Sequence, residues 1–303
     1  MSGHEAALAR AEATFLAAEA AMDAAGLDRA LGQYRAALAL APRATAAREW
    51  AVTQTAIGRC LRVLGVLLQD AGMARAAVAA CRAALEELTR ERDRLAWARA
   101  HAQLAAALAG VGQIMNDISA VGAAEMAARH ALAGFIRETE PVEWARAQRN
   151  HGALLAVLGE GEVETDMLGD AVLAYQAALD VFTPEAEPAN WAMTQCNLAH
   201  ALRLLGERWD DDSLLEEAVR AADAALTVYV TGQDRAMALS NRANALTALG
   251  TRQADAAALQ RAVDDYRAAL AEFSALGEAG YRGATEHNIR VAERRLRHLR
   301  AGA

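Results

Sequence analysis

The chain has no lysine, only four prolines and three cysteines among 303 residues, and only 5% of it is aromatic. Each shortage excludes something. Few prolines and aromatics beside 54% hydrophobic residues describe alanine-rich helices rather than sheets, and no stretch reads as a strand. The cysteines Cys60, Cys81 and Cys196 are odd in number and lack a CxxC spacing. That excludes a disulfide framework and reads as small buried apolar residues in a reducing compartment. Without lysine, all 31 basic residues are arginine, a coding bias that lowers the functional weight of any single one. A basic excess is missing too: the net charge of −8 disfavours nucleic acid as a partner. No charge-free apolar run reaches the roughly 18 residues that a membrane span needs. The opening residues MSGHEAALARAEATF lack a basic leader. The expectation is a cytoplasmic protein with no membrane segment.

What is present is a repeat. WAVTQTAIGRCLRVLG from Trp50 returns as WARAHAQLAAALAGVG from Trp97, WARAQRNHGALLAVLG from Trp144 and WAMTQCNLAHALRLLG from Trp191, at intervals of 47 residues. A weaker copy, RAMALSNRANALTALG, starts at Arg235, and each copy ends in glycine: Gly65, Gly112, Gly159, Gly206 and Gly250. At 100° per residue, Trp191, Leu198, Leu202 and Leu205 share one arc while Met193, Cys196, His200 and Arg203 share the opposite one. The glycine reads as the helix stop. A second helical element follows each copy, with Ala37, Ala84, Ala131, Ala178 and Ala225 keeping the 47-residue period and Ala269 following after 44.

Fixed self-similarity at this period predicts an all-α fold, a right-handed α-solenoid of stacked antiparallel helical hairpins. Residues 1–42 form an N-terminal hairpin, 43–280 five repeats, and 281–303 an arginine-rich capping helix, together one solenoid. The first hairpin is expected to turn at Gly26. Loops inside the hairpins read as long, with Ser213 and Glu216 in capping-box spacing and Ser119 and Asp166 at the equivalent offset. The acidic clusters Glu160, Glu162, Glu164 and Asp166, and Asp210 to Asp212, lack an alternating calcium-loop spacing and read as helix caps. No metal or other cofactor is implied.

The pairing of a W-A-x-T-Q-x-N-L-x-x-A-L-x-x-L-G helix with a second helix of A-V-x-A-Y-x-x-A-L form resembles tetratricopeptide repeats. It is most similar to the long bacterial variety found in arrays, sometimes beside a caspase-like CHAT peptidase domain. The period of 47 exceeds the usual 34 of that family, a difference assigned to longer loops, and Arg235 in place of tryptophan implies a looser fifth junction. The resemblance implies a non-catalytic scaffold whose first helices line a concave groove for a peptide.

The outward arc supplies the groove positions: Val52, Thr55, Arg59 and Arg62; Arg99, Ala102, Ala106 and Ala109; Arg146, Arg149, Ala153 and Ala156; Met193, Cys196, His200 and Arg203; Met237, Ser240, Asn244 and Thr247. At the neighbouring offset stand Gln103, Asn150, Asn197 and Asn241, amides able to hold an extended backbone. Six arginines on this face suit a carboxylate-rich partner, since a guanidinium gives a carboxylate two parallel hydrogen bonds. The expected function is therefore an adaptor that binds an acidic peptide segment. The alternatives are a sensor of a small anionic ligand acting on a separate effector, or a homotypic self-assembly module using Trp209 or the end hairpins. Catalysis is not expected: Cys196 and His200 are one turn apart but lack an orienting third group.

Overall fold

The computed structural model describes residues 2–161 and 166–302 and contains, among them, thirteen α-helices and no strand. They are α1 (Gly3–Ala20), α2 (Ala24–Ala39), α3 (Ala47–Leu68), α4 (Ala71–Leu85), α5 (Arg94–Met115), α6 (Ile118–Gly134), α7 (Pro141–Gly161), α8 (Met167–Leu179), α9 (Pro188–Trp209), α10 (Asp212–Leu226), α11 (Gly232–Arg252), α12 (Ala256–Ala275) and α13 (Ala279–Gly302). The chain divides into two compact units, Met1–Leu158 and Gly159–Ala303.

In the first unit α3 packs on α1 and α5, and each second helix wedges between two first helices, α2 between α1 and α3 and α4 between α3 and α5. In the second unit α11 packs on α9 and α13, with α10 between α9 and α11 and α12 between α11 and α13. Each unit is thus a stack of antiparallel hairpins in two layers. Its core is the seam between layers: Leu27, Tyr34, Cys60, Leu64 and Cys81 in the first, Ala243, Val263, Tyr266 and Ala292 in the second. Helix α3 is long and apolar enough on average to cross a membrane, but it carries Arg59 and Arg62 and packs against four helices.

The turns inside the hairpins correct the sequence reading. The turns between α1 and α2, α3 and α4, α5 and α6, α9 and α10, and α11 and α12 are two or three residues long, and the extra period length lies instead in first helices of 21 or 22 residues. The glycines do not stop their helices. Gly65, Gly112, Gly206 and Gly250 each sit four residues before a left-handed residue, Gln69, Asn116, Asp210 and Ala254, and the residue after that donates its N–H back to the glycine carbonyl. A Cβ at Gly65 would lie 3.0 Å from the Ala74 nitrogen, and one at Gly112 would lie 2.6 Å from Val121 Cγ2. Glycine is therefore required by the close approach of the returning helix. In the first hairpin Met22 is the left-handed residue and Ala18 takes the glycine's place, while Gly26 lies buried inside α2.

The helix caps also differ. Asp23, Asp70, Asp117, Asp211 and Asp255 each accept a hydrogen bond from the first turn of the second helix, satisfying an amide that the helix leaves open. Ser213 and Ser119 lie inside their helices and donate to Asp211 and Asp117. Asp166 is the cap residue of α8 without a side-chain cap bond. Asp210 and Asp212 both bind Arg252, which ties the α9 turn to the end of α11. Glu162 and Glu164 lie outside the described residues.

The tryptophans are half-buried flanks of the core rather than its centre: Trp50 carries Arg43 over its ring at 4.8 Å and Trp144 carries Arg137 at 5.0 Å. The junction at Arg235 is not loose. Arg235 pairs with Glu272 at 3.0 Å, Glu272 also accepts from the Gly232 N–H, and Phe273 stacks on Tyr281 at 5.0 Å.

Helix α13 begins earlier than the sequence suggested and proves to be a further first helix. Thr285 is buried and donates to the carbonyl four residues back, as Thr53 and Thr194 do. Ile289, Ala292 and Leu296 match Leu198, Ala201 and Leu205 in register. The positions where α9 seats its second helix, Ala199, Leu202 and Gly206, become Arg290, Glu293 and Arg297.

Candidate functional site

The first helices of the N-terminal unit leave one face clear of the second layer, and a cavity of about 1520 Å³ opens along it. Arg59 and Arg62 enter from α3, Arg99 and Gln103 from α5, and Arg146, Arg149 and Asn150 from α7. All seven groove residues inferred for this unit line that one space. Between the arginines lies a floor of small residues, among them Ala102, Ala106, Ala109 and Ala153. Five arginines face three carboxylates, Glu12, Asp117 and Glu143, so the lining is cationic in a chain of net charge −8.

The arginines are in different states. Arg59 is engaged: it reaches both oxygens of Glu12 at 2.5 Å, the Tyr34 hydroxyl at 3.3 Å, and the face of Phe15 at 4.3 Å. Burial works against its charge, but the Glu12 carboxylate more than offsets that and holds its pKa above the usual value. Tyr34 donates to Glu12 at 2.6 Å, and burial together with that carboxylate raises the phenol's pKa. Arg99 pairs with Glu143 at 3.0 Å on an open surface, a contact of little energetic weight.

Arg62 has no ion pair among the described residues, although the Arg59 Nε is also buried without an acceptor. Burial lowers the Arg62 pKa, Glu19 opposes this only through space, and the Arg62 Nε is buried with no hydrogen-bond acceptor. Arg146 is exposed, with no ion pair among the described residues. Arg149 is 9% exposed and donates to Asn150 Oδ1 at 3.3 Å. On the acceptor side, Gln103 Oε1 is buried without a donor. A buried donor and a buried acceptor without partners are costly in a folded chain, and a ligand that satisfies both recovers that cost.

Asn241, Asn244 and Arg203 of the second unit bond within it, although the Arg203 Nε is itself buried without an acceptor. Asn241 donates to the Cys196 carbonyl at 3.1 Å, which ties α11 to α9. Asn244 accepts from the Tyr266 hydroxyl at 2.6 Å and from Asn288 at 3.4 Å. Arg203 pairs with Glu207 at 2.7 Å. His200 is half-buried and its pKa is lowered by burial and then by Arg203, and Asn197 is half-buried beside it on α9. Cys196 is buried instead of facing outward, and burial pushes its thiol up to about 12. Such a thiol holds no thiolate at neutral pH, so the Cys196–His200 pair has no nucleophile to offer. Cys60 and Cys81 are likewise pushed up, to about 11 and about 12.

Sequence reasoning missed two things. One is that Glu12 and Tyr34 occupy Arg59. The other is that residues of α6, namely Val121, Ala128, Ala131 and Phe135, reach the cavity from the second layer. The signal for the latter was available in the second-helix column, where tyrosine alternates with small residues.

No family model matches the chain, and no curated protein sequence matches it. Among solved structures the chain is similar to the TPR2AB domain in the pHSP90 complex of yeast Sti1, at 18% identity over 94% of this chain and 98% of that one, with a TM-score of 0.30. At that identity and TM-score, the fold stands on the chain's own helical hairpins.

Proposed function

We propose that the N-terminal unit binds an acidic peptide segment of a partner protein along its cavity, and that the chain acts as a non-catalytic adaptor. The observation that supports this is the pairing of Arg62, desolvated and short of an acceptor, with the open, uncompensated Arg146 and the donor-seeking Gln103 in one space. Carboxylates satisfy the arginines, and a backbone N–H satisfies Gln103. The volume exceeds the roughly 300–1,000 Å³ of typical small-ligand pockets, which favours an extended segment over a compact anion.

The test is fluorescence anisotropy with a labelled Glu-rich peptide and its Gln-for-Glu counterpart. The acidic peptide should bind and the neutral one should not. An Arg62→Gln, Arg146→Gln double variant should weaken binding by more than about tenfold, because charge-assisted bonds contribute roughly 1.5–3 kcal/mol each. Arg203→Gln in the second unit should leave it unchanged. Equal binding of both peptides, or an unaffected double variant, would remove the proposal.

A further inference from the structure

One column of the second helices reads Tyr34, Cys81, Ala128, Tyr175, Ala222 and Tyr266, at intervals of 47 residues and finally 44. Where tyrosine stands, its ring is buried and fills the space between layers. The hydroxyl of Tyr34 emerges on the groove face at Glu12 and Arg59, both lining residues, and that of Tyr266 emerges at Asn244. The phenol therefore spans from the second layer to the open face, and a polar first-helix residue receives it.

At α6 all parts of this plug are missing. The column residue is Ala128, and the first-helix positions in register with Arg59 are Ala106 on α5 and Ala153 on α7. All three line the cavity, with Ala131 and Phe135 of α6 deeper in. The cavity thus runs through the first layer to the second at the one hairpin of this unit where no side chain fills the passage. At α4 the column residue is Cys81, and its Sγ closes against Gly58, where a Cβ would lie 2.5 Å away. Ala222 of α10 is fully covered.

Resting on the peptide-binding reading above, we infer that the passage over Ala128 is a side-chain pocket for an aromatic residue of the bound acidic segment. Ala106, Ala128, Ala153, Leu154 and Phe135 line it, a set of side chains that favours an apolar ring over a hydrophilic side chain. Its column position holds a tyrosine in the sibling hairpins, so the fold accommodates a ring there without rearranging its layers. Arg62 and Arg149 line the same cavity, and this molecule already shows a guanidinium over a ring, Arg59 on Phe15 at 4.3 Å. The partner is thus an aromatic residue flanked by carboxylates: the ring takes the place that Tyr34 fills in its own hairpin, and the carboxylates take the arginines.

The experiment uses the full chain and two labelled acidic peptides that differ only in a central Phe or Ala. On the wild type the Phe peptide should bind about tenfold tighter or more, as expected for burial of one ring. Ala128→Tyr restores the chain's own plug and should erase that difference, bringing both peptides to the affinity of the Ala peptide. Thermal melting checks the fold of this variant. Ala106→Phe, which blocks the passage from a half-buried position on the open face, should do the same without touching the second layer. Equal affinities on the wild type, or a Phe preference that survives both substitutions, overturns the pocket. If equal affinities are still lost in the Arg62→Gln, Arg146→Gln variant, only the pocket fails; if neither peptide binds, the peptide-binding reading fails with it.

Discussion

The two units are built from the same hairpin and use the same face oppositely. In the first, Arg59 and Arg99 pair with Glu12 and Glu143, but Arg62 and Arg146 have no ion pair among the described residues, alanines lie between them, and the face stays open. In the second the groove positions are Asn241, Asn244 and Arg203, each bonded to its own neighbours, with Tyr266 plugged between layers and Arg242 held by Asp223 and Asp265 at 2.6 Å. A helical offset assigns a residue to a face, but the residue opposite decides whether that face is available. Where the second helix supplies Tyr34 or Tyr266 the chain satisfies the facing polar residue itself; over Ala128 the face is left open.

The largest effect expected from breaking this contrast is Tyr266→Ala. It removes a ring that is 2% exposed and leaves Asn244 only the longer bond from Asn288, at a cost of about 3–5 kcal/mol read by denaturant melts. The reverse exchange, Ala128→Tyr in the first unit, should change stability by less than about 1 kcal/mol because the space exists already. If the two costs were alike, the idea of a plugged and an unplugged hairpin would be lost.

The turn glycines should behave alike in both units. Gly65→Val and Gly250→Val each press a side chain on the returning backbone, at Ala74 N and at Asp255 O, and should cost about 1–3 kcal/mol. A large inequality would show that the turns, and not only the plugs, distinguish the units.

Acid should soften the first unit through His101. Burial, and then the nearby His130, lower its pKa to about 4, and it packs on Trp97 at 4.5 Å where the other three tryptophan copies carry glutamine. Because the folded value lies below the unfolded one of about 6.5, the unfolded chain takes up the proton first. Stability is then lost as pH falls from about 6.5 towards 4, by about 1–2 kcal/mol, and His101→Gln should remove that share of the slope. An unchanged slope would assign it to other groups.

The smallest effect belongs to the caps: Asp70→Ala and Asp255→Ala should each cost about 1 kcal/mol, and the asparagine variants a few tenths.

The repeat, the hairpins and the face that the first helices leave open were legible because each depends on spacing alone. The seven N-terminal site residues share a face at 100° per residue, and the fold gathers them into one cavity. The fate of Asn241 and Asn244 was not legible, since an amide aimed at solvent and one aimed at a neighbour's carbonyl occupy the same helical offset. The glycines were misread because a left-handed stop and a close backbone approach both select glycine, and sequence does not tell them apart. Capping-box spacing points to serine, yet an aspartate stands five residues after every repeat glycine but Gly159, and the shorter turn selects it as the cap. The side-chain passage at Ala128 required comparing copies by column, which shows as absence what a single copy shows only as alanine.

Helix α13 keeps the residues of a first helix that face its predecessor and replaces with charge those that would receive a successor. Arg290, Glu293 and Arg297 stand where a second helix would need alanine, leucine and glycine. Three substitutions therefore separate a closed edge from an adhesive one. In manufacturing terms, the number of hairpins that can stack here is set by a local choice of side chains rather than by the period. Restoring Ala, Leu and Gly at those positions would make α13 a place to graft further repeats.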